Sequence, residues 1–83
     1  MTPHQVKAAR TLLGWSMSRL GMRSGTSMHT VRSFERTGQV ASMYGRREQV
    51  DAVAVIRATL EAAGIEFIPE NGGAGVRLRK LDL

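Results

Sequence analysis

The sequence predicts a mainly α-helical domain of four to five helices, closed by a short C-terminal element of two β-strands. Three observations carry that expectation. Apolar residues recur at helical spacing in four segments before Gly64. Hydroxyl residues suited to N-caps, Thr2, Ser16 and Ser27, stand directly before three of those segments. After Gly64 the period changes to two, so that Ile65, Phe67 and the pair Val76, Leu78 read as strands.

The first helix is announced by Thr2 as cap, by Pro3 at the first helical position, where a missing N–H costs nothing, and by Gln5, which can reach back to close a capping box. Val6, Ala9, Leu12 and Leu13 form its expected buried face and Gly14 ends it. Trp15, just beyond, is expected to plug the core. Ser16 caps a second helix whose inward side carries Leu20 and Ser24, with Gly21 between them where another helix can approach closely. A mid-helix glycine costs about 0.5–1 kcal/mol relative to alanine, so this helix is expected to be the softest. Gly25 supplies the positive φ that a tight turn needs, Thr26 fills the turn, and Ser27 caps a third helix with Val31 and Phe34 inside. From Gly38 to Gly45 the pattern lapses into a loop containing Gln39, Ser42 and Tyr44. The longest periodic segment, about Gly45 to Ala63, aligns Val50, Val53, Ile56, Leu60 and Ala63 on one stripe and stops at Gly64. Arg47 with Asp51, and Arg57 with Glu61, add weak support at i,i+4. Between the two expected strands lie Pro69, Asn71, Gly72, Gly73 and Gly75, a turn or hinge signal.

At 83 residues the chain suits one small domain that buries roughly 60% of its unfolded surface, so help from a second subunit fits. It has no cysteine, which removes disulfides, thiolate nucleophiles and zinc-thiolate sites and suits a reducing cytoplasm. No apolar run approaches the ~20 residues of a membrane span, and the chain opens on a capped helix instead of a signal peptide, so a cytoplasmic protein is expected. A net charge of +5 asks for an anionic partner. Aromatic content of 5% is too low for the stacking platforms of single-strand binders, which favours duplex DNA.

Two short helices hinged at Gly25 are a helix-turn-helix pattern. With Val31 and Phe34 inside, Met28, His29, Arg32, Ser33 and Arg36 face outward on the second of them, and the segment of about 28–36 reads as a recognition helix for the major groove. Ser27 and Thr30 complete that candidate contact set. Met28 offers an apolar contact for a thymine methyl. Arg46 and Arg47 open the fourth helix, where a phosphate is readily held.

The pattern resembles the Cro and phage-repressor type of helix-turn-helix, the xenobiotic-response-element family of bacterial regulators. It is closer still to small regulators of the form TPxQxxAARxLLGWS followed by AAGxEFIPENGGxGVRLRK. Thr2, Pro3, Gln5, Ala8, Ala9, Arg10, Leu12, Leu13, Gly14, Trp15 and Ser16 match the first motif, and Ala62 to Asn71 with Val76 to Lys80 match the second. The resemblance implies a repressor-like helix-turn-helix domain over 1–64 and a C-terminal β element over 65–83 that serves dimerisation. It also implies that Arg10 pairs with Glu35. Such proteins usually carry Gln at the start of the second helix to touch a phosphate; here that position is Met17, so its place in the DNA-contact set is inherited and not supported by its chemistry. Alanine is usual where this chain has Gly21.

No catalytic constellation is legible. His4 and His29 lie on separate helices without HxxxH or HExxH spacing, GxSxG is absent, and the glycines of NGGAG lack the Lys-Ser/Thr pair of a phosphate-cradling loop. No cofactor and no metal are expected. The reading is a sequence-specific, duplex DNA-binding transcriptional regulator acting as a homodimer on a pseudo-palindromic operator. The alternatives are an antitoxin that regulates its own operator and reserves its C-terminal segment for a toxin, and a protein-interaction module that has lost DNA binding.

Overall fold

The computed structural model describes residues 1–40, 46–70 and 73–78, with the backbone alone for 46–50, 69–70 and 73–74. Among them the chain forms helices α1 (Pro3–Leu13), α2 (Met17–Ser24), α3 (Met28–Thr37) and α4 (Arg46–Ala62), then strands β1 (Ile65–Glu70) and β2 (Gly73–Leu78). The protein is thus mainly helical with one two-stranded antiparallel sheet.

The helix starts are set by their caps. Thr2 Oγ1 accepts from Gln5 N at 3.2 Å while Gln5 Oε1 accepts from Thr2 N at 2.8 Å, the reciprocal box expected there. Gln5 does more than cap: its Nε2 donates to the Gly75 carbonyl at 3.0 Å, tying α1 to β2. Ser16 and Ser27 cap α2 and α3 through Arg19 N and Thr30 N. At Gly25, φ of 72° reverses the chain between α2 and α3, a conformation an L side chain would strain.

Gly21 has a packing reason. A Cβ built there would lie 2.4 Å from the Ser27 carbonyl carbon and 2.6 Å from Met28 N, so α2 sits against the start of α3 more closely than alanine permits. Val6, Ala9, Leu20, Val31, Phe34, Val40, Ala52, Ile56, Leu60 and Ile65 form the core. α1 packs on α3 and β2, α2 on α3 and α4, and α4 on β1.

Several expectations need correction. Leu12 is not in the core; it is 47% exposed, because α1 turns inward only along the Val6, Ala9 and Leu13 side. Val40 and Ala52 are buried although the periodic reading passed over both. Trp15 is half-buried against the core instead of plugging it, with the Arg23 guanidinium 5.4 Å above its ring. The strands are longer than expected and take in Pro69, Gly73 and Gly75, in the register Ile65↔Leu78, Phe67↔Val76 and Glu70↔Gly73. β1 and β2 pair within one chain. The side chains of Arg47 and Val50, the loop residues Ser42 and Tyr44, and the turn residues Asn71 and Gly72 lie outside the described residues.

Candidate nucleic-acid interface

α3 presents the candidate surface because its inner side is fully used. Thr30, Val31 and Phe34 are buried, which leaves His29, Arg32 and Arg36 exposed on the opposite side. With Ser33 and Thr37 these three line one open concavity of about 380 Å³. Four of the expected contact residues, His29, Arg32, Ser33 and Arg36, are therefore brought together.

The remaining expectations divide. Ser27 is exposed at the N-cap, and Met28, 50% exposed, opens the helix beside it. Thr30 does not belong on the outer face: it is 1% exposed, on the same inward stripe as Phe34, with its hydroxyl 3.0 Å from Ser27 Oγ. Met17 is half-buried and packs against the core, so its side chain serves α2 packing. The backbone places Arg46 and Arg47 in the first turn of α4; their side chains lie outside the described residues.

Ser33 is held in a particular role. Its Oγ donates to the Gln39 carbonyl at 3.0 Å, and the Thr37 hydroxyl, whose one proton faces the Ser33 carbonyl at 2.9 Å and the Gln39 carbonyl at 3.1 Å, accepts from Gln39 N at 3.1 Å. Two hydroxyls thus fasten the segment after α3 to its outer side. The single Ser33 proton is spent there, which leaves its oxygen as an acceptor toward any ligand in the concavity.

The angle of α3 is fixed from behind. Arg10 Nε and Nη2 donate to Glu35 Oε2 and Oε1 at 2.7 and 2.9 Å, and Arg10 Nη1 donates to the Trp15 carbonyl at 3.0 Å. The hydrogen bond to Glu35 raises the Arg10 pKa above its ordinary value, against the opposing effect of burial. This pair, implied by the resemblance, joins α1 to α3.

Charge is segregated along the chain in a way the sequence reading missed. Residues 1–40 hold Lys7, Arg10, Arg19, Arg23, Arg32 and Arg36 against the single acid Glu35, and so carry the whole +5, while residues 41–83 hold six cations and six acids. Among the described residues Arg10, Arg57 and Arg77 pair with Glu35, Glu61 and Glu66, whereas Lys7, Arg19, Arg23, Arg32 and Arg36 form no ion pair. Arg19 and Arg23 lie on α2, Arg23 over the Trp15 ring beside Thr59 and Ala62 of α4. The run of 34 residues without an acid was the signal for them.

Among the described residues no three His, Cys, Asp or Glu side chains converge to hold a metal ion, and no helix is long and apolar enough to cross a membrane. Compared with known proteins, the chain matches no protein-family model and no curated protein.

Proposed function

We propose that the protein is a transcriptional regulator of the repressor helix-turn-helix type, and that it binds duplex DNA with α3 in the major groove. The observation that carries this reading is the outer side of α3, where Arg32 and Arg36 stand exposed without an acidic partner among the described residues, beside His29. A guanidinium so placed can address the O6 and N7 acceptors of guanine, and the imidazole can address a base edge or a phosphate. Arg19 and Arg23 on α2, with Arg46 and Arg47 at the start of α4, supply cations for the flanking phosphates. The operator is pseudo-palindromic and is read by a homodimer.

Titration of a duplex carrying the sequence that the protein enriches from a random pool tests the reading. Binding is expected for the wild type and is expected to be largely lost in an Arg32→Ala, Arg36→Ala double variant. Equal binding by the two proteins refutes the assigned surface.

A further inference from the structure

Arg32 and Arg36 bring only hydrogen-bond donors to the concavity on α3, and among the described residues no acidic side chain lines it. His29 brings one donor and one acceptor in its neutral form. Any further acceptor must come from the hydroxyls of Ser33 and Thr37. Ser33 stands one turn after His29 and one turn before Arg36, half-buried while both of these neighbours are exposed, so the three share one stripe of the helix.

An ordinary serine hydroxyl rotates to donate or to accept, and so tells a carbonyl from an amine poorly. Ser33 is not free to do this. Its proton is directed at the Gln39 carbonyl at 3.0 Å. Thr37 replaces it there only at a loss, since the Thr37 proton has a nearer acceptor in the Ser33 carbonyl, 2.9 Å against 3.1 Å, and the Thr37 oxygen already accepts from Gln39 N. Turning the Ser33 proton outward therefore weakens the clasp between α3 and the segment that follows. What Ser33 Oγ offers outward is a lone pair.

Base edges in the major groove are rich in acceptors. Guanine N7 and O6, adenine N7 and thymine O4 all accept, and the only donors are the exocyclic amines, cytosine N4 and adenine N6. A lone pair held against guanine O6 or thymine O4 meets another lone pair, whereas an amine satisfies it. We propose that Ser33 is a fixed acceptor that selects, at one operator position, a base carrying an exocyclic amine. The inference rests on α3 as the major-groove element and adds a rule of readout to it. Beside a guanine taken by Arg32 or Arg36, the base presented to Ser33 is cytosine or adenine, and guanine and thymine are disfavoured there.

The test takes the duplex that the protein enriches from a random pool and places N4-methylcytosine at each cytosine and N6-methyladenine at each adenine, one at a time. The methyl group displaces the amine hydrogen that faces the major groove and leaves the pairing hydrogen in place. At one position the wild type is expected to lose about fivefold in affinity on methylation. Ser33→Ala is expected to bind the unmodified duplex about threefold more weakly than the wild type, and to bind the methylated and unmodified forms at that position equally. Alanine favours the helix at this outer position, so an unchanged circular dichroism spectrum is expected. The methylated base that gives the effect identifies the amine as that of cytosine or of adenine. If Ser33→Ala keeps the wild-type response to methylation at every position, and only weakens all sequences alike as loss of the Gln39 clasp would, the inference is overturned and the DNA reading stands. A folded wild type that binds no duplex overturns both.

Discussion

Arg10 of α1 and Glu35 of α3 meet as a two-pronged ion pair whose side chains are 13% and 5% exposed, and the same guanidinium holds the Trp15 carbonyl. One arginine thereby fixes the recognition-helix candidate to the first helix and to the link between α1 and α2. Removing one partner of a buried pair strands the other, at a cost of about 3–5 kcal/mol. Arg10→Met is therefore expected to lower stability by that amount in denaturant unfolding. Glu35→Gln, which keeps one acceptor, is expected to cost about 1–3 kcal/mol. Because folding raises the Arg10 pKa, its contribution is complete below the ordinary arginine range and is lost only as pH rises past the folded value. No Arg10-linked loss of stability is expected between neutral pH and pH ~10. Wild-type-like stability of Arg10→Met would show the pair to be incidental.

Gly21→Ala is a second test of the α2–α3 junction. Helix propensity alone favours alanine by about 0.5–1 kcal/mol. The Cβ, however, would press on backbone atoms of Ser27 and Met28 that no rotamer change can move. Overpacking of this kind costs about 1–3 kcal/mol, so a net loss is expected, read as a fall in Tm of several degrees. A variant as stable as the wild type would mean that the helices separate freely.

Specificity and affinity are expected to part company. Replacing His29 or Arg32 by alanine should change base preference at a defined operator position, at about 1–3 kcal/mol where a bidentate contact is lost. Ser33→Ala should have a smaller effect on readout, because the Ser33 proton already serves the Gln39 carbonyl. Arg19→Ala, Arg23→Ala, Arg46→Ala and Arg47→Ala should weaken all sequences alike. Binding isotherms on a set of single-base operator variants separate the two patterns.

Salt provides an independent check on the arginine surface. If Arg19, Arg23, Arg46 and Arg47 neutralise phosphates, log affinity falls with log salt at a slope of about 0.9 for each contact made. Each phosphate-contacting arginine changed to alanine is expected to reduce that slope by about one. A slope near zero in the wild type would remove the electrostatic part of the account.

Much of the fold was legible because its signals are local. The capping hydroxyls at Thr2, Ser16 and Ser27 and the reversal at Gly25 act within one turn of chain. What was illegible depends on neighbours that a periodic pattern does not contain. Leu12 lies at the margin of the α1 stripe, where burial depends on how far a facing element extends. Thr30 is polar, but it shares the inward side of α3 with Phe34 and finds a hydroxyl partner in Ser27. Gly73 and Gly75 read as turn by composition, although pairing with Glu70 and Ile68 draws them into β2. At the candidate interface, His29, Arg32 and Arg36 were legible from the helical period. Arg19 and Arg23 were not, because each looks like an ordinary surface charge until the absence of acids around it is counted.

Selection of bound sequences from a random duplex pool, carried out with the wild type and with Arg32→Ala, tests the central claim most directly. The account predicts that the wild type enriches a defined motif and that Arg32→Ala loses the preference at one of its positions while the others persist. Enrichment of no sequence by a wild-type protein that is folded would contradict it, and so would an identical motif from both proteins.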